Sequence, residues 1–175
     1  MIAASKRRSE VLGMIEASNG ALSASNIATT LGVSRQLIVG DVALLRAEGH
    51  QIIATARGYM MEANTSQQQY RRKIACCHQP DQTREELYIL IDCGVTVEDV
   101  MIEHHVYGEL TGSLGLSSRL DVDAFLTNLE QSKMGLLSEL TQGVHLHTIS
   151  CKSREHFDEA MKAMSLAGFL VKQDD

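Results

Sequence analysis

Residues 23–49 read SASNIATTLGVSRQLIVGDVALLRAEG, and this stretch decides the fold at the front of the chain. Ser23 can cap a short helix whose Ile27, Ala28 and Leu31 face inward and which Gly32 ends. Val33 makes the turn. Ser34 can cap a second helix that runs to Glu48 and stops at Gly49. In that helix Ile38, Val42 and Leu45 share one face by the 3.6-residue period. The opposite face carries Gln36, Gly40, Ala43 and Ala47, small and nearly uncharged, where a solvated face usually carries Lys and Glu. Gly40 in mid-helix costs about 1 kcal/mol relative to Ala, a cost that close approach to a groove would offset. Two helices joined by a short turn at this spacing form a helix-turn-helix, whose second helix enters the DNA major groove by its N-terminal end. There Gln36 can pair with adenine and Arg35 with guanine or phosphate. Ser34, Arg35, Gln36 and Gly40 are therefore candidate DNA-contacting residues.

Working outward, Val11, Leu12 and Ile15 predict a preceding helix with a cap at Ser5 and an end at Asn19-Gly20. Downstream, Gln51–Ala54 and Gly58–Glu62 read as two short strands around Thr55–Arg57. That hairpin forms a wing, with Arg57 at its tip near phosphate. The competing reading is a small helical domain with an indifferent surface; the wing, the caps and the local charge favour DNA. Residues 1–75 hold nine Lys/Arg against five Asp/Glu, whereas residues 76–175 hold seven against seventeen, so a chain of net charge −6 has a basic first part. Only that part is expected to meet a polyanion. The pieces Gly32–Arg35, Leu45–Gly49 and Ala56–Tyr59 resemble the winged helix-turn-helix of biotin-operon-type repressors.

At 175 residues, 44% hydrophobic and 22% charged, the chain suits one large or two small globular domains and excludes disordered and collagen-like classes. No apolar run approaches a membrane span, and Met1 to Arg8 has no apolar segment of the secretory kind. Four cysteines without a C-x-x-C make a poor disulfide framework and fit a reducing cytoplasm. The expectation is a cytoplasmic protein with no membrane partner.

The polar stretch Ala63–Tyr70 reads as a linker, set at residues 63–73 between a domain at 1–62 and one at 74–175. The second half then alternates. Strands are expected at Ile74–Cys77, Val95–His104, Val106–Leu116, Gly143–Cys151 and Phe169–Val171. Helices are expected at Thr83–Asp92, Val122–Lys133 and Ser153–Ala167. The predicted class is α+β, a winged helix-turn-helix followed by an α/β-layer domain.

Six of the seven histidines lie after residue 75. In Gly143-Val144-His145-Leu146-His147-Thr148 two imidazoles at i and i+2 share a strand face and can chelate one transition metal. Two surface histidines on an edge strand are the plainer alternative. His78 follows a strand, and Glu86 lies in the first turn of the next helix, close enough to meet it. Glu86 also has a competing use, because Thr83-Arg84-Glu85-Glu86 is a capping box. In Glu103-His104-His105-Val106-Tyr107-Gly108 only one of His104 and His105 should point into a site.

Here a family resemblance appears. His78 with Glu86-Leu87, Glu103-His104 with Val106-Tyr107-Gly108, and Gly143 to Thr148 together resemble the 3H domain, from about Ile74 to Val171. With the winged helix in front, the chain resembles the niacin-responsive repressors of NAD biosynthesis genes. One departure is His105, where the family usually has Pro. The resemblance implies one divalent transition metal per chain held by His78, Glu86, His145 and His147, with zinc, nickel, iron or manganese admitted by such donors. It also implies operator DNA as partner, nicotinic acid as effector and a homodimer. His104 and Tyr107 are candidates to hold or wall the pyridine ring. The expected function is a transcriptional repressor and not an enzyme. The alternative is a metal-dependent, hydrolase-like enzyme fused to a DNA-binding domain, although no sequence motif fixes a general base.

Overall fold

The helical period at the front of the chain is realised in the computed structural model, which describes residues 4–62 and 70–172. Two compact units make up the chain, Met1–Thr65 and Ser66–Asp175. In the first, α1 (Ala4–Ala17), α2 (Ala24–Leu31) and α3 (Arg35–Ala47) precede a hairpin of β1 (Ile52–Thr55) and β2 (Gly58–Met61). Val11, Ile15, Ile27, Ile38, Val42 and Leu45 close its core. Ser23 and Ser34 cap α2 and α3 by accepting the N–H of Asn26 and of Leu37, at 3.1 and 3.2 Å. Gly32 turns left-handed at φ +66°, and the helix axes bend by 109° across the break, as a helix-turn-helix requires. Ser5 is not the cap expected: it lies inside α1, and a cap needs non-helical backbone.

Two further contacts hold this unit. Arg7 of α1 forms a buried two-pronged pair with Asp41 of α3, Nε to Oδ2 at 2.5 Å and Nη2 to Oδ1 at 3.0 Å. The wing docks through reciprocal backbone bonds between Leu22 and Tyr59, 2.8 and 2.9 Å long. Gly58 permits that docking, since a Cβ there would sit 2.5 Å from the Leu22 carbonyl.

The second unit is one antiparallel sheet with helices. Its strands are β3 (Tyr70–Cys77), β4 (Thr96–His104), β5 (Gly108–Leu116) and β6 (Val144–Cys151), in the order β3-β6-β4-β5. The helices are α4 (Thr83–Asp92), α5 (Arg119–Ser132) and α6 (Arg154–Ala167), with short 3₁₀ turns at Pro80–Gln82 and Leu137–Thr141. The segment expected as a last strand at Phe169–Val171 makes a single bridge, Leu170 to Cys76.

Of the linker expected at 63–73, residues 63–69 lie outside the described residues. The rest is strand, since β3 begins at Tyr70. Arg71, Arg72 and Lys73 are all exposed on this edge strand, so neither face shows the apolar alternation by which strands are read. Arg71 instead binds Glu98 at 2.7 Å, and Arg72 lies over the Tyr70 ring.

Candidate metal centre and nucleic-acid interface

Strand alternation puts His145 and His147 of β6 on one face of the sheet, with Leu146 on the other. Helix α4 packs Glu86 onto that face beside Leu87 and Leu90, all buried. His78 comes from the turn after β3. Its backbone runs so close to the start of β6 that a Cβ on Gly143 would lie 2.4 Å from the His78 carbonyl oxygen. Gly143 answers both demands of the place, having no Cβ and a φ of +94°.

Three imidazoles and one carboxylate thus meet in the interior. The Nε2 atom of His78 is 2.7 Å from Glu86 Oε2, while Nε2 of His145 and of His147 are 3.2 and 3.4 Å from Oε1. Glu86 is 1% exposed and His147 3%. Each Nδ1 points at a backbone carbonyl: His78 at Gln79 (2.8 Å), His145 at Gly143 (2.9 Å) and His147 at Asp99 (2.6 Å). A carbonyl only accepts, so each Nδ1 carries the proton and donates it. All three Nε2 atoms then turn toward Glu86 as lone pairs unless they gain a second proton. His147 Nε2 makes no hydrogen bond at all. Three imidazole lone pairs facing one carboxylate in a buried space call for a cation among them.

Burial pushes the Glu86 carboxyl up, but the facing imidazoles of His145, His147 and His78 reverse this and hold it well below the usual range. Burial pushes His78 and His147 down, and the Glu86 carboxylate more than restores them, so both end above the ordinary value.

The competing use of Glu86 as a helix cap is not realised. The 3₁₀ turn runs straight into α4, so Thr83 has helical backbone and caps nothing. Its buried Oγ1 has no hydrogen-bond partner. The side chain of Gln82 takes the reciprocal role one turn earlier, accepting the Gln79 N–H at 3.0 Å. The Thr83 N–H already bonds the Pro80 carbonyl, so the carboxylate is left to the three buried imidazoles.

His104 and His105 do not join this cluster. His104 ends β4, and its Nδ1 accepts the N–H of Val106 and of Tyr107 at 3.2 and 3.3 Å. Its ring stacks on His105 at 4.9 Å and lies beside Tyr107, which is 75% exposed. Among the described residues, no hydrogen bond or ring contact ties His104 or Tyr107 to the buried imidazoles.

Two neighbours of the cluster escaped the sequence. Phe169, 2% exposed, sets its ring edge-on to His78 at 5.4 Å. Cys76, fully buried, places Sγ within 4.8 Å of ligand atoms of both Glu86 and His145. Nothing local marks either residue. Cys76 is found only from the register that sets it opposite His145.

In the first unit Arg35, Gln36, Gly40, Ala43 and Ala47 are exposed on α3, and so are Leu37 and Leu44. Ser34 spends its side chain on the cap. Arg57 sits exposed in the wing turn, its N–H on Thr55 Oγ1 at 3.2 Å. A Cβ on Gly40 would meet nothing within 4 Å, so the chain itself gives no reason for glycine there.

A family model for the 3H domain matches residues 71–173, and one for an HTH domain matches residues 7–60. The chain belongs to the 3H-domain family. It is 43% identical over 168 residues to Transcription repressor NadR of Bacillus subtilis (strain 168), covering 95% of this chain and 93% of that protein. It is 36% identical over 168 residues to Probable transcription repressor NiaR of Thermotoga maritima, covering 96% and 95%. The 3H-domain chain is therefore a DNA-binding transcription repressor, and these relatives give no support to the enzyme alternative. No single described helix of this repressor is long and apolar enough to cross a membrane.

Proposed function

We propose that this repressor binds operator DNA in response to nicotinic acid and controls genes of NAD biosynthesis or niacin uptake, acting in the cytoplasm as a homodimer. The metal is held by His78, Glu86, His145 and His147. The observation that carries this reading is the buried set of three Nε2 atoms around one carboxylate, each ring fixed by its Nδ1 on a carbonyl and one Nε2 left without a partner. Such backbone partners orient imidazoles for a cation. The donors fit one divalent ion: zinc, nickel, iron or manganese. When bound, that ion supplies a Lewis-acidic position for the carboxylate or ring nitrogen of a pyridine carboxylate. His104 and Tyr107, at the exposed hairpin turn, make no hydrogen bond or ring contact with these imidazoles and are left out of the ring's wall.

DNA contact falls to Arg35, Gln36 and Gly40 on α3 and to Arg57 on the wing, with Ser34 setting the helix start. One winged helix reads only a few base pairs, so two copies on a roughly palindromic operator are needed for specificity. The acidic second half is the dimerising part, since it would repel DNA. Nicotinate must favour the DNA-competent dimer. A coupling of about 1–3 kcal/mol gives roughly a 5- to 150-fold gain in operator affinity, with the same factor for operator on nicotinate binding.

Footprint titrations at fixed salt test this, run with nicotinate, with nicotinamide and with neither, alongside metal analysis and sedimentation. The expected result is tighter binding with nicotinate only, one metal per chain and two chains per operator. Equal affinity in all three conditions removes the sensor reading, and one chain per operator removes the dimer.

A further inference from the structure

We propose that the Cys76 thiol is a fifth protein donor to the cation held by His78, Glu86, His145 and His147, and that it biases the centre toward thiophilic divalent metals. This rests on the metal reading above. In β3 Cys76 stands directly opposite His145, so both side chains leave the same face of the sheet. The residue is fully buried, and its Sγ, a Glu86 oxygen and a His145 nitrogen all lie within 4.8 Å of one another. Two donors bonded to one cation at about 2.0–2.3 Å sit at most about 4.4 Å apart. A pair at the full 4.8 Å therefore closes by at least about 0.4 Å, and by about 1 Å at a tetrahedral angle, a movement that side-chain rotation has to supply.

A second observation points to the same space. His147, 3% exposed, aims an Nε2 without any hydrogen bond at Glu86, 3.4 Å away. The carboxylate that this unpartnered imidazole nitrogen faces is the one that also lies beside the Cys76 sulfur. The other buried thiol, Cys151, is directed elsewhere, donating to the Ser153 carbonyl at 3.1 Å, whereas the Cys76 thiol faces the Glu86 carboxylate.

Imidazoles and a carboxylate alone accept hard and borderline cations, manganese included; a thiolate adds preference for zinc, cobalt and nickel. As the sulfur–cation bond forms, the S–H bond breaks and its proton leaves to solvent, with no change of oxidation state.

The test uses the full chain, stripped with chelator and titrated separately with Co²⁺ and Mn²⁺. Wild type should take up one Co²⁺ with a thiolate-to-cobalt charge-transfer band in the near ultraviolet. Cys76→Ser and Cys76→Ala should lose that band yet still bind Co²⁺, at least about tenfold more weakly, with Mn²⁺ affinity unchanged. A variant lacking Cys77, Cys93 and Cys151 should keep the band. X-ray absorption on the zinc-loaded wild type reads the same point without substitution: one sulfur at about 2.3 Å is expected. A bound metal showing only nitrogen and oxygen neighbours, or a band that survives Cys76→Ala, overturns the role of Cys76 and leaves the imidazole–carboxylate centre standing. Failure of the wild type to bind any of these metals overturns both.

Discussion

Gly143→Ala tests whether the close approach of the β6 start to the His78 turn builds the site. Two penalties apply. The first is conformational: at φ +94° an L-residue carries about 1–2 kcal/mol of strain. The second is steric, because the new methyl would lie 2.4 Å from the His78 carbonyl oxygen, a rigid backbone atom. Reaching even a tight 3.0 Å contact moves that peptide by about 0.6 Å. His78 then pulls away from Glu86, 2.7 Å off; in the metal-free chain, with a second proton on His78 Nε2, that contact is a charge-assisted bond worth about 1.5–3 kcal/mol. The expected loss is about 3–5 kcal/mol in the second unit. Gly168→Ala is the control. Its φ is +76° at the end of α6, but a Cβ there meets nothing within 4 Å, so only about 1–2 kcal/mol is expected. Urea unfolding of the two variants reads the difference, and metal analysis reads the site. If both variants lose equal stability and Gly143→Ala keeps its full complement of metal, the close approach has no part in building the site.

Gly40→Ala should stabilise the first unit by about 1 kcal/mol, since it gains helix propensity and the methyl meets nothing within 4 Å; a thermal melt showing destabilisation would contradict this. Arg7→Ala should cost about 3–5 kcal/mol by leaving Asp41 buried without its guanidinium, and pairing it with Asp41→Leu should recover most of that in denaturant titrations. Glu86→Gln should leave the start of α4 unchanged by circular dichroism, because Glu86 does not cap it, while metal affinity falls; an unchanged affinity would remove Glu86 from the ligand set. His145→Ala with His147→Ala should abolish bound metal yet leave DNA binding by the first unit measurable by anisotropy, and full metal occupancy would refute the assignment.

The helix-turn-helix was legible because its signals act over short distances. A serine caps the N–H three residues on, a glycine ends a helix where it stands, and the 3.6 period repeats within one helix. The same locality explains the misses. At Thr83 the local pattern spelled a cap, but three imidazoles from other elements took Glu86. At Arg71 to Lys73 the strand was hidden because its exposed edge lacks apolar alternation. Ser5 had the right chemistry for a cap one residue inside the helix.

In the second unit, residue type and strand alternation alone named His145 and His147 as a same-face pair, and put His78 and Glu86 near each other. They could not decide whether these four meet, since Glu86 and His145 lie 59 residues apart. That was decided by α4 packing onto the sheet and by Gly143 admitting the His78 turn. Nor could they find Cys76, whose place beside the cluster follows from the pairing of β3 with β6. Caps and periods are properties of a few consecutive residues. A buried cluster is a property of register and packing, which bring together atoms that no local rule relates.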